Sequence, residues 1–160
     1  MLAAGEERSP PVDGSDGWVI RAFLGHHRCA TRFILSVCTD ALNDCGLRLS
    51  NVHFSSQFGN DLPRHLATRP CDLLFYANAE WEHVASLRGL RAFHVVRDPR
   101  DVIVSAYFSH RYSHETTHWP ELVQHRGRLE ACSFDDGLLL EMDFSAPFIE
   151  AMGNWDYADP

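Results

Sequence analysis

Apolar positions along the chain switch repeatedly between two periods, and each switch marks an element. Residues 18–24 (WVIRAFL) are mainly apolar and partly β-branched, as in a strand, and Gly25 with the polar His26, His27 and Arg28 closes it. Over residues 30–45, Phe33, Ile34, Val37, Cys38, Ala41, Leu42 and Cys45 recur at helical spacing, with Gly46 where a C-cap belongs. Residues 49–54 have strand character; the polar stretch up to Pro63 reads as loop and residues 63–68 as a short helix. CDLLFY, residues 71–76, is a compact strand, followed by a short helix around Trp81, Val84, Ala85 and Leu87. RAFHVV, residues 91–96, is another strand, and it runs into Arg97-Asp98-Pro99-Arg100-Asp101 and a helix reading VIVSAYFSHRYSH. The tail carries two short helical patterns, residues 136–144 and 147–155.

Strand followed by helix, repeated in this way, predicts an α/β domain of three layers around a central parallel sheet. Residues 1–17, rich in Gly, Pro, Ser and acidic side chains without periodicity, read as a flexible leader, and residues 18–160 as one domain. Right-handed crossovers would set the 25–31 and 97–99 junctions side by side at the carboxyl edge of the sheet. After Tyr157 the chain stops with no strand to finish the layer, so an incomplete sheet edge is expected, through which the chain would self-associate.

Composition narrows the classes. A chain of 160 residues, 45% hydrophobic and 11% aromatic, suits one domain with one core. Its formal charge of −8, with basic residues scattered, gives no general attraction for nucleic acid or an anionic membrane. A local anion site where a few arginines and backbone amides converge is still compatible with it. Cys29, Cys38, Cys45, Cys71 and Cys132 form no CxxC pair, and no signal peptide is recognisable, which favours reduced thiols in the cytoplasm. No apolar stretch is long enough for a transmembrane segment.

Two junctions carry candidate chemistry. Gly25-His26-His27-Arg28-Cys29-Ala30-Thr31 joins a strand to a helix, where backbone N–H groups and the helix dipole can form an anion nest. Arg28 would add a fixed charge and the Thr31 hydroxyl a donor. The segment departs from the nucleoside-triphosphate pattern G-x-x-x-x-G-K-[ST], with Ala30 for its second glycine and Thr31 for its lysine. An ordinary strand–helix turn bearing a surface arginine would look the same. At the second junction Asp98 can cap a helix starting at Pro99, with Asp101 at its third position. Capping accounts for those residues but not for Arg97. Arg97 and Ser105, which is two turns along the helix, could clasp one phosphate from two sides.

The run from Arg97-Asp98-Pro99-Arg100-Asp101 through Ser105-Ala106-Tyr107 closely resembles the 3′-phosphate motif of sulfotransferases dependent on 3′-phosphoadenosine 5′-phosphosulfate (PAPS). Arg28-Cys29-Ala30-Thr31 resembles the family's 5′-phosphosulfate loop, often written [KR]-S-G-T. The two lie in the family's order, and the similarity spans residues 18–114. The resemblance implies a P-loop-like sulfotransferase fold, here incomplete, and PAPS as cofactor. It assigns cofactor binding to Gly25, Arg28, Cys29, Ala30, Thr31, Arg97 and Ser105. Ala30 stands where the family has glycine, and a methyl there is tolerable if the residue is helical.

The implied reaction moves a sulfuryl group from PAPS to a hydroxyl or amine of a small-molecule or glycan acceptor. Its needs are positioning, donors on the departing phosphate and a base. Arg28 would stabilise the leaving group electrostatically, since a guanidinium keeps its protons. The family's usual histidine after the CDLLFY strand is absent, the loop there being Ala77-Asn78-Ala79-Glu80. His53, just after a strand, is the first candidate for the base and Glu80 the second. His110, His114 and His118 follow HxxxH spacing, but no third ligand is placed by the sequence and the family needs no metal, so no metal site is assigned. They are read as solvent-facing or acceptor-lining, with Trp119 and Tyr112 beside the acceptor. Two other classes remain open: a degenerate, non-catalytic domain that binds 3′-phosphoadenosine nucleotides or a partner, and a nucleotide-dependent phosphoryl transferase.

Overall fold

The structure, a computed structural model, describes residues 19–117 and 119–157. The leader, Trp18 and His118 lie outside the described residues. The elements in chain order are β1 (Ile20–Leu24), α1 (Thr31–Asp44), β2 (Leu49–Val52), α2 (Leu62–Thr68), β3 (Leu73–Tyr76), α3 (Trp81–Val84), β4 (Leu90–His94), α4 (Pro99–Tyr112), α5 (Pro120–Glu130) and α6 (Phe134–Gly153). A short 3-10 turn, Ser55–Phe58, lies in the stretch expected to be loop. The chain forms two compact units: residues up to 24 with Arg32–His94, and Gly25–Thr31 with residues from 95 onward. No helix among the described residues is long and apolar enough to cross a membrane.

The first unit carries the sheet: four strands, all parallel, in the order β2-β3-β1-β4. This is the α/β class with the parallel sheet that the strand–helix rhythm predicts. β1 is internal, and its Ala22, Phe23 and Leu24 are all buried, which is why its second half reads as apolar while Arg21 near its start is exposed. Phe23 stacks on Phe75 of β3 at 4.2 Å and meets Phe93 of β4 at 5.2 Å, so aromatic pairs link three strands. Phe58, Leu62, Leu74, Tyr76 and Val84 complete the apolar interior.

Several expected boundaries move, each for a pairing reason. The strand expected to reach residue 96 ends at His94, because its partner β1 ends at Leu24, which pairs with His94 in register. Arg97 therefore follows a short extended link instead of ending the strand. The strand expected over residues 49–54 stops at Val52, leaving His53 just past its carboxyl end. Helix α1 closes as anticipated, with Gly46 at φ +67° and the Leu47 amide bonded to the Leu42 carbonyl at 2.8 Å. Its apolar stripe, however, contains no buried residue, and Phe33 remains 71% exposed.

The second unit is helical. Asp98 caps α4, accepting from the Arg100 amide at 2.9 Å, with Pro99 in the first turn. Arg126 of α5 donates to the carbonyls of His110 and His114, satisfying the end of α4. α5 had no expected counterpart. The two expected tail helices are one helix, α6, which runs through Pro147. Gly137 of α6 lies against the buried Tyr107 ring, and an added Cβ would sit 2.6 Å from Tyr107 Cε2. The Tyr107 hydroxyl is held by Arg111 Nη1 at 2.6 Å, so the ring has little freedom to retreat. Gly137→Ala should thus destabilise the protein by about 1–3 kcal/mol despite alanine's higher helix propensity. Urea unfolding of the two proteins checks this, and equal midpoints would show that the helices can separate without cost.

Candidate functional site

The loop Gly25–Thr31 belongs to the helical unit, together with Arg97 and α4. It turns sharply. Arg28 has φ 64° and Ala30 φ 57°, both in the left-handed region that glycine tolerates best. Ala30 is thus not in the helical conformation under which its methyl group would be harmless. The Cys29 amide donates to the His26 carbonyl at 3.1 Å, and the Thr31 hydroxyl donates to the same carbonyl at 3.0 Å. The expected Thr31 donor therefore braces the loop, and its oxygen lone pairs remain free to accept.

Arg28 is held as a fork over α4. Its Nε and Nη2 donate to Ser105 Oγ at 3.1 and 3.0 Å, and its Nη1 donates to Ser109 Oγ at 3.0 Å. Ser105 and Ser109, four residues apart, share one face of the helix. Because each hydroxyl accepts from the guanidinium, its own proton is available to an anion. Arg97 Nη1 reaches the Arg28 carbonyl at 3.4 Å, a long contact, and Arg97 Nε lies 3.8 Å from the Asp101 carboxylate. The Arg97 side chain is still 42% exposed. The two junctions are therefore neighbours, and Arg28, Arg97, Ser105 and Ser109 form one donor set. Ser109 was not singled out from the sequence, although its place one turn beyond Ser105 marks it.

Cys29 plays a different part. Its side chain is buried in an apolar cluster with Val102 and Met152, lined by Val95 and Ile149, and burial pushes its thiol up from the ordinary range. Gly25 is buried directly after β1.

The two candidate bases lie in the sheet unit, described separately from this donor set. His53 is half-buried; its amide bonds the Gln57 side chain and its carbonyl accepts from Asn78 Nδ2 at 3.1 Å. Its imidazole has no hydrogen-bond partner among the described residues. Glu80 is engaged, with Oε2 3.0 Å from His83 Nε2.

A buried polar cluster in the helical unit was not foreseen. Glu141 of α6 is fully buried, and its carboxylate accepts from His110 Nδ1 at 3.0 Å, His125 Nε2 at 2.9 Å and Ser145 Oγ at 2.5 Å. Burial alone would raise its pKa, but the bonds from His110, Ser145 and His125 prevail and hold it below the usual glutamate range. His110, expected to face solvent or an acceptor, is completely buried, because the carboxylate opposite satisfies its polar edge. His27 packs beside it, with the two Nε2 atoms 3.1 Å apart. Burial, then the electrostatic influence of His110, Arg28 and His114, lowers the His27 pKa to about 3. His27 is consequently neutral near physiological pH and a weak base.

The chain matches no protein-family model, no curated protein and no solved structure.

Proposed function

We propose that the donor set of Arg28, Arg97, Ser105 and Ser109 binds a 3′-phosphoadenosine nucleotide, and that the protein is a PAPS-dependent sulfotransferase of P-loop-like fold. The observation that carries this reading is the convergence of two arginines and two polarised hydroxyls within one compact unit. The motif resemblance of residues 97–107 and 28–31 adds to it, as does the parallel sheet feeding both junctions. In the reaction, an acceptor hydroxyl or amine attacks the sulfur of PAPS in line. The bond from sulfur to the bridging phosphate oxygen breaks, adenosine 3′,5′-bisphosphate departs, and a base takes the acceptor proton. Arg28 would balance the charge gathering on the departing oxygen, a contribution of about 3 kcal/mol at a preorganised site. His53, whose ring has no hydrogen bond among the described residues, is the better base candidate than Glu80, which is paired to His83.

A second reading is a non-catalytic domain that binds the same nucleotide. The left-handed Ala30 favours it, since a methyl group stands where close approach of a phosphosulfate would suit glycine.

Calorimetric titration separates these classes. The folded chain should bind adenosine 3′,5′-bisphosphate at least about tenfold more tightly than adenosine 5′-phosphate, a difference of about 1.4 kcal/mol. Tighter binding of ATP than of the bisphosphate would favour phosphoryl transfer, and no binding of any of the three would reject the nucleotide site. If the bisphosphate binds, release of sulfate label from PAPS to an acceptor panel distinguishes enzyme from binding domain.

A further inference from the structure

We infer that His27, His110 and His114 form a zinc site, with Glu141 positioning His110 from behind. One ring nitrogen from each of the three histidines lies within 4.8 Å of the other two. His110 comes from the last turn of α4 and His114 from two residues past its end, and the loop before α1 supplies the third, which no spacing rule could have paired with them. The separation of 3.1 Å between His27 Nε2 and His110 Nε2 is near the edge of a tetrahedron built from Zn–N bonds of about 2.0–2.1 Å.

The tautomers support the same assignment. His110 Nδ1 faces the Glu141 carboxylate at 3.0 Å, an acceptor only, so the proton sits on Nδ1 and Nε2 presents a lone pair. His114 Nδ1 faces the Glu115 carbonyl at 2.8 Å, also an acceptor only, so its Nε2 is likewise a bare lone pair. Two imidazoles are thereby fixed in the ligating tautomer by groups outside the cluster. A carboxylate behind a ligating histidine is the usual means of orienting the ring and raising its basicity. Glu141 is itself fixed by His125 and Ser145, and supplies one buried negative charge a single ring away from the ion. Without an ion, one proton shared between His27 and His110 satisfies that pair, and the His114 lone pair is left over; a divalent cation engages all three. Trp119 and Phe148, whose rings lie 6.0 and 4.5 Å from that of His27, form an apolar wall beside the cluster. Three imidazoles suit zinc and leave a fourth position for water or an anion.

This assignment is independent of the nucleotide reading and is tested without nucleotide. The full chain, stripped of metal and kept reduced, is titrated with Co²⁺ as a spectroscopic stand-in and then with Zn²⁺ in competition. The expected result is one equivalent of cobalt with the intense visible band of a four-coordinate, nitrogen-ligated ion, displaced by zinc. His27→Ala and His114→Ala, at half-buried positions where folding should survive, should each weaken binding by more than about 100-fold. Glu141→Gln should weaken it about 10–100-fold while retaining the spectrum, which a merely structural glutamate would not do in a chain confirmed folded by circular dichroism. The proposal is overturned by absence of the visible band in the wild type, or by unchanged affinity in a folded His27→Ala protein. It is overturned equally by a sulfur-to-cobalt charge-transfer band, or by loss of binding in His83→Ala alone, which would assign the ion to cysteines or to Glu80, Glu82 and His83.

Discussion

Replacement of Glu141 by alanine is expected to cost about 3–5 kcal/mol of stability, the largest effect of any single substitution in the helical unit. The carboxylate is fully buried and is the acceptor for His110, His125 and Ser145. Its removal strands donors from three places in the fold where water cannot reach them, and each unmet donor carries a desolvation penalty of about 1–3 kcal/mol. Phe144, stacked on His125 at 3.9 Å, cannot offer an acceptor. Glu141→Gln should cost less, because its amide oxygen can still accept from one histidine. The sign with pH follows from the depressed pKa. The carboxylate contributes its stability above the usual glutamate range and loses it as pH falls through the lower folded value. The gap between wild type and Glu141→Ala should therefore be widest near neutrality and narrow in acid. Urea unfolding across a pH series measures this; a gap independent of pH would mean that packing of the side chain, and not its charge, accounts for the loss.

Arg97→Ala is expected to weaken adenosine 3′,5′-bisphosphate binding by about 2–5 kcal/mol while leaving adenosine 5′-phosphate nearly unaffected. The side chain is 42% exposed, and its hydrogen bond and ion pair among the described residues are a long bond to the Arg28 carbonyl and a loose pair with Asp101, so it can turn to a phosphate at small cost. Ser105, already polarised by Arg28, would donate to the same group. The 5′ group should depend on Arg28 and the 25–31 loop. An arginine that only braces the start of α4 would behave otherwise, because its loss would weaken both nucleotides together or neither. Matched titrations of wild type and mutant, with circular dichroism to verify folding, decide between them.

The two inner strands of the sheet were legible because they are mainly apolar and buried: IRAFL and LLFY read as strands with or without knowledge of their neighbours. Strand ends were less legible, since His94 stops where its partner stops and not where its own sequence turns polar. α5 was invisible for a different reason. Its buried positions are Leu122, His125 and Leu129, and a histidine in the middle of the stripe hides the period. Pro147 suggested a break in α6 that the packed helix overrides. Among the site residues, Arg97 stood out because capping left it unexplained, and Arg28 and Ser105 because they fall at motif positions of the family that the two segments resemble. The pairing of Arg28 with Ser105 rather than Arg97 with Ser105 depends on side-chain reach, which no local pattern encodes. The buried Glu141 cluster was hidden most completely, because a polar residue reads as surface until the partner that neutralises it is found elsewhere in the chain.

The discontinuity of the helical unit has a consequence for how the protein is made. Arg28 meets Ser105 across 77 residues, and Cys29 meets Met152 across 123. At about 5–20 residues per second of synthesis, Arg28 waits roughly 4–15 s for Ser105, and Cys29 roughly 6–25 s for Met152. Through that interval the loop is already tethered to β1, while the helices that hold its left-handed turn do not yet exist. Nascent chains halted before residue 105 therefore carry Arg28 without either of its serines. Such long-range contacts place the donor set and the histidine cluster among the last parts of the molecule to assemble.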